Sequence, residues 1–256
     1  TDDVHGALAQ YRAALNIDRD LATADPDNAQ AILDLSFSES KFGSALGKLG
    51  QTKEALANLR SGIARQEYLA DRDANHVLLY NHLANSYTRL ANCLLDSGNT
   101  KEATEYYRKA VASRLSYFQK SPNSSMNRGA LAECYTNLAK ALAPWNHEEA
   151  LNQYSRAVDL LEPLTTTDRS NARGRIALAD ALSNTAQLYM RMTSGESSTR
   201  LQYLTKAKSY YQRSQEMWLG LEKAGKLPPA RSRAIRDINT ELAHCNESLA
   251  KLQQVQ

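Results

Sequence analysis

Ala103-Thr104-Glu105-Tyr106-Tyr107-Arg108-Lys109-Ala110 decides the reading of this chain, because it is one copy among several. The pattern stands earlier as Ala7-Leu8-Ala9-Gln10-Tyr11-Arg12-Ala13-Ala14 and as Ala55-Leu56-Ala57-Asn58-Leu59-Arg60-Ser61-Gly62. It returns as Ala150-Leu151-Asn152-Gln153-Tyr154-Ser155-Arg156-Ala157, and more weakly from Ala207 to Ser214. The interval is about 48 residues, in the range of stacked supersecondary repeats. Each unit of such an array packs on its neighbours, and the product is an extended surface. The repeat therefore points to binding rather than catalysis.

Outward from each copy, one interval holds two helical patterns split by a short turn. The first runs near Ala29 to Leu49, with Leu35, Phe42, Ala45, Leu46 and Leu49 on one side. Gly50-Gln51-Thr52 breaks it, and Ala55, Leu56, Leu59, Ile63 and Leu69 carry the second. Thr52 and Thr100 are expected to cap the second helices. Asn28, Asn75, Asn123 and Asn171 are 47, 48 and 48 residues apart and are expected to cap the first. Asp168-Arg169-Ser170 belongs to the last of these turns. The expected units are 1–28 (partial), 29–75, 76–123, 124–171 and 172–227, with a capping helix in 228–256, all in one array over 1–256. Pro144-Trp145 replaces the turn glycine of the third full hairpin, and polar residues extend the fourth around Met192–Arg200.

Composition narrows the class. Apolar residues are 42% and charged residues 23%, as in a folded soluble domain rather than a disordered chain. The formal charge of +3 is spread thinly, without the basic stripe that nucleic acid would require. No apolar run is long enough to span a bilayer. Cys93, Cys134 and Cys245 are odd in number and have no zinc spacing, so they read as small core residues. His5, His76, His82, His147 and His244 lack the spacing of a helical metal site. Neither a nucleophile elbow nor a kinase motif occurs. The expectation is a non-enzyme with no cofactor and no metal.

Phe42-Gly43 with Leu46, and Leu90-Ala91 with Leu94, alternate large and small residues on first helices. Ala55, Leu59 and Gly62, then Ala103, Tyr107 and Ala110, do so on second helices. In these positions the chain resembles the tetratricopeptide repeat, in a variant longer than the usual unit of about 34 residues. The resemblance implies an all-α, right-handed superhelical solenoid of antiparallel helix hairpins with a C-terminal capping helix. It also implies a binding groove lined by the first helices. Register then assigns Lys41, Ser44, Lys48, Asn85, Arg89, Asn92, Glu133, Asn137, Lys140, Asn184, Gln187 and Arg191 to that groove. Amides there can pair with an extended peptide, and Lys or Arg with a carboxylate. Asn92 and Lys140 suit the family's carboxylate clamp, whereas Ser44 departs from it. Arg89 and Lys140 are expected to favour acidic segments.

The wording from Ala7 to Ala14, Asp25 to Asn28 and Asp34 to Ser36 is also similar to the C-terminal regions of certain bacterial serine/threonine protein kinases. This implies the regulatory or partner-recruiting part of a larger signalling protein, in the cytoplasm unless a membrane span precedes Thr1. A protein or peptide partner is expected, with a homo-oligomeric scaffold or a small-ligand sensor as the other readings.

Overall fold

Residues 2–167, 171–192 and 195–253 are described by a computed structural model, the side chains of 2–5 and 253 apart. The turn Asp168-Arg169-Ser170, the loop residues Thr193-Ser194 and the His5 side chain lie outside the described residues. Among those described are ten α-helices, one short 3-10 turn and no strand, as the sequence led us to expect. The fold divides into two compact units, Thr1–Pro122 and Asn123–Gln256.

Unit 1 contains α1 (Asp2–Ala24), α2 (Ala29–Lys48), α3 (Thr52–Arg72), α4 (Val77–Asp96) and α5 (Thr100–Lys120). Helices α2 and α3 form one hairpin and α4 and α5 the next, while α1 packs on α2. Unit 2 contains α6 (Ser125–Leu142), α7 (His147–Thr167), α8 (Ala172–Arg191), α9 (Ser197–Lys223) and α10 (Ala234–Gln253). Here α6–α7 and α8–α9 are the hairpins, and α10 packs on α9.

Glycine turns α2 back into α3. Gly50 has φ +75°, a left-handed conformation that costs glycine nothing. Its N–H donates to the Gly47 carbonyl, and the Gln51 N–H reaches back to that of Leu46, both at 3.0 Å. This paired closure satisfies carbonyls left open at a helix end. Helix α6 lacks such a glycine. Its end is closed instead by the Asn146 N–H on the Leu142 carbonyl, at 2.8 Å, and by the Trp145 indole N–H on that of Ala141, at 3.1 Å.

The helix starts correct part of the sequence reading. Asn28 accepts from the N–H groups of Gln30 and Ala31, and Asn171 from that of Gly174, so both are caps. The caps of α4 and α6 fall one residue later, at His76 and Ser124. The Asn75 N–H is held by the Asp73 carboxylate at 3.0 Å, which places Asn75 in the turn. Thr52 and Thr100 are first helical residues, following Gln51 and Asn99 at the cap position. Neither cap residue bonds the helix through its side chain.

The cores follow the repeat. Leu90, Leu94, Ala103 and Tyr107 are buried in unit 1, and Ala150, Tyr154, Ala207 and Tyr211 in unit 2. All three cysteines are buried thiols outside any disulfide. Of the two tryptophans, Trp218 is buried and Trp145 half exposed. One inward position on the second helices differs between the units. It holds Gln66 and Arg114 in unit 1 but Leu161 and Trp218 in unit 2, all four buried. The polar pair is bonded: Gln66 donates to Ser36 at 3.0 Å, and Arg114 to the Asn81 and Asn85 side-chain oxygens.

The inward tyrosines give a testable pH dependence. The Tyr107 hydroxyl donates to Asn92 at 2.5 Å, and burial, with Asp96 nearby, raises its pKa to about 12. Burial also raises Tyr154 and Tyr211, and burial together with a bond to Glu67 raises Tyr87. An unfolded phenol ionises near pH ~10. The folded chain therefore holds its phenolic protons more tightly. That stability is fully present below pH ~10 and is lost as pH rises toward the folded values. Melting temperature should fall steeply between about pH 10 and 12. Tyr107→Phe should make the fall shallower, whereas an equal slope in that variant would remove Tyr107 from this role.

Candidate protein-binding surface

The twelve residues assigned to a groove fall into two sets of six, one in each unit. In unit 1, Lys41 and Lys48 of α2 are exposed and Ser44 is half-buried. The residues of α4 are engaged in holding the fold. Arg89 reaches across to α2 and donates to the Ser40 hydroxyl at 3.1 Å. It is half-buried, and burial lowers its pKa from the ordinary guanidinium value. Asn85 accepts from Arg114 at 2.5 Å, and Asn92 from the Tyr107 hydroxyl at the same distance. Arg89 is thus a brace between first helices, and Arg89→Ala is not the simple surface change its sequence position suggested.

In unit 2 the residues converge on open space. Helices α6 and α8 pack along part of their length, and a cleft of about 530 Å³ lies between them, over the C-terminal half of α7. Glu133, Asn137 and Lys140 of α6 line it together with Asp180 and Arg173 of α8. Leu164 and Ile176 supply apolar surface, backed by the buried Leu161. A second recess of about 180 Å³ is bordered by Lys140, Asn184, Gln187 and Arg191, with Tyr154 at its base. Lys140 borders both spaces, so all six unit 2 residues lie along one first-helix face.

The charges along this face are ordered. Asp180 pairs with Arg231 of the 3-10 turn Pro229–Arg231 at 2.6 Å. Burial raises the Asp180 pKa, while Arg231 and Lys140 act against that rise. The Arg231 guanidinium also lies over the Trp218 ring, 5.9 Å from its centroid. The cleft thus carries two carboxylates, Glu133 and Asp180, the second of them held by Arg231. The recess gathers two cations, Lys140 and Arg191, beside two amides, Asn184 and Gln187. Cations and amide donors in one recess suit a carboxylate. Among the described residues, no cluster of His, Cys, Asp and Glu could hold a metal ion.

Sequence reasoning missed the apolar part of the cleft. No motif or register argument singled out Leu161, Leu164, Arg173 or Ile176. A signal was present: at position 66 of the repeat register the chain changes from polar Gln66 and Arg114 to Leu161 and Trp218.

The α4–α5 hairpin holds the segment that matches a known repeat family. Residues 84–117 match the tetratricopeptide repeat. A tetratricopeptide-type repeat is thus present, in an all-α fold of a kind that is typically non-catalytic and serves protein–protein contact or scaffolding. Among solved structures, BtubC (BKLC) from P. vanneervenii aligns over 98% of this chain and 91% of that one, at 16% identity and a TM-score of 0.55. That likeness is one of fold. A MamA protein aligns over 83% of this chain and 94% of that one, at 17% identity and a TM-score of 0.35. The designed helical repeat protein DHR64 aligns over 89% and 100%, at 12% identity and a TM-score of 0.36. No curated protein matches the chain in sequence.

Proposed function

We propose that the chain is a protein-interaction module whose binding surface is the α6–α8 face, and that it reads extended, acidic segments of a partner. The observation that carries this reading is the recess where Lys140 and Arg191 meet Asn184 and Gln187. Two lysines or arginines near one carboxylate attract it from a distance and fix it on contact, and salt weakens the attraction. Arg89, assigned with Lys140 from sequence, is replaced in this role by Arg191. The unit 1 residues Lys41, Ser44 and Lys48 extend the reading to a second surface. Under the same proposal the hairpins form one array over 1–256. That array is the partner-recruiting, non-enzymatic region of a larger bacterial signalling protein such as a serine/threonine kinase. The wording of Ala7–Ala14, Asp25–Asn28 and Asp34–Ser36 supports that context, and the coding sequence ahead of Thr1 tests it.

Selection of random 12-residue peptides displayed on phage tests the surface directly. Enriched sequences should be acidic. Their synthetic versions should bind about tenfold more weakly to Lys140→Glu/Arg191→Glu, a variant whose helicity is unchanged. Enrichment without acidic character, or binding that survives in the folded double variant, would move the site away from this recess.

The scaffold reading has one observation in its favour. Ile17 and Leu21 of α1 are 61% and 56% exposed, and they lie one helical turn apart. Ile17→Glu/Leu21→Glu would dissolve any dimer seated there, and sedimentation equilibrium would report it.

A further inference from the structure

The repeat provides an internal comparison for the α6–α8 cleft. Phe37 of α2 and Glu133 of α6 each stand two residues after a matched core leucine, Leu35 and Leu131. His82 of α4 and Ala177 of α8 each stand one residue before another, Leu83 and Leu178. Gln66 of α3 and Leu161 of α7 stand eleven residues after Ala55 and Ala150. In unit 1 the first-helix pair α2–α4 is filled at this height by two rings. Phe37 and His82 meet edge to face, with centroids 4.6 Å apart. In unit 2 the same three positions hold Glu133, Ala177 and Leu161, and all three line the open cleft.

At these register positions unit 2 therefore lacks both rings and carries an apolar side chain in place of an amide. Filling is lost, and the cleft that remains is backed by the buried Leu161 and bordered by the half-buried Leu164 and Ile176. A cleft of about 530 Å³ lies within the usual range of ligand-sized pockets, roughly 300–1,000 Å³. Aromatic side chains bury large areas at low conformational cost, and they are the common anchors where one protein segment seats in another.

We propose that the α6–α8 cleft is an anchor pocket for an aromatic side chain of the partner segment, which takes the place that the Phe37–His82 ring pair fills in unit 1. This rests on the interaction reading above and adds the second half of the recognised chemistry. The segment places its ring over Leu161 and Leu164, beside Ala130 and Ala177, and its acidic group at Lys140. Glu133 and Asp180 line the same cleft, so the residues linking ring and carboxylate are neutral or basic.

The test uses N-acetyl-phenylalaninamide, a neutral probe, titrated into the full chain and followed by two-dimensional amide NMR. Saturable shifts should centre on Gly129, Ala130 and Ala177, with N-acetyl-alaninamide binding about tenfold more weakly. Glu133→Phe/Ala177→His rebuilds the unit 1 ring pair in unit 2, and it should abolish the saturable shifts while keeping native helicity. Ala177→Leu, a smaller filling change, serves if that double variant does not fold. Arg191 borders the recess and not the cleft, so Arg191→Glu separates the two readings: it should weaken acidic-peptide binding while the neutral probe still shifts Gly129, Ala130 and Ala177. Equal binding of the alanine probe, shifts away from α6 and α8, or saturable binding that persists in a folded filled variant would each overturn the proposal.

Discussion

Leu90→Ala should lower the unfolding free energy by about 2–5 kcal/mol, among the largest effects of any single truncation in unit 1. Leu90 lies in the C-terminal half of α4, is 0% exposed, and is followed by the equally buried Ala91 and Leu94. Its removal takes away the transfer energy of several methylene-sized groups and leaves a cavity. Two helices pinned by turns at both ends cannot close that space fully. The measurement is a urea titration followed by far-ultraviolet circular dichroism, compared with the parent chain. An unchanged midpoint would show that α4 does not pack as described.

Gly62→Val should cost about as much by the opposite mechanism. Gly62 sits on α3 where α2 crosses it, and a Cβ there would stand 2.8 Å from the Ser36 carbonyl oxygen. The obstacle is backbone, so no side chain can swing aside, and the helices must part. Overpacking of this kind costs typically 1–3 kcal/mol and at times more. Replacing a helical glycine by valine returns only a few tenths of a kcal/mol in propensity, so the clash wins. Gly129→Ala is the control, because nothing lies within 4 Å of a Cβ there. It should stabilise α6 by up to about 1 kcal/mol. A Gly62→Val chain that melts with its parent would contradict the crossing.

The positions of these effects were legible in the sequence because they repeat. Leu90, Ala103 and Tyr107 recur in register with other large or small residues, and burial follows that register with little help from anything distant. The polar residues were less legible. Periodicity places Asn85, Arg89 and Asn92 on a polar face, but it cannot separate a solvated face from a bonded one. Their partners, Arg114, Ser40 and Tyr107, stand 29, 49 and 15 residues away. The helix starts failed for a local reason. Several Asn, Ser and Thr residues compete at each turn, and a shift of one residue between Asn123 and Ser124 alters no periodicity. The cleft escaped for yet another reason. It arises from what Glu133 and Ala177 do not fill, which shows only when those positions are set beside Phe37 and His82.

The inward position held by Gln66, Arg114, Leu161 and Trp218 has a consequence for how such a chain can change by duplication or exchange of its parts. The Gln66 side chain is bonded to Ser36, a residue of its own hairpin partner α2. Moved into the surroundings of Trp218, which belongs to the apolar cluster with Leu221 and Ile238, the same amide would be buried without its acceptor, at a cost of about 1–3 kcal/mol. The hairpins are alike in outline, but each is keyed to its place. Recombination between them is penalised, and a chain cut and rejoined out of order would lose stability even though every helix survived intact.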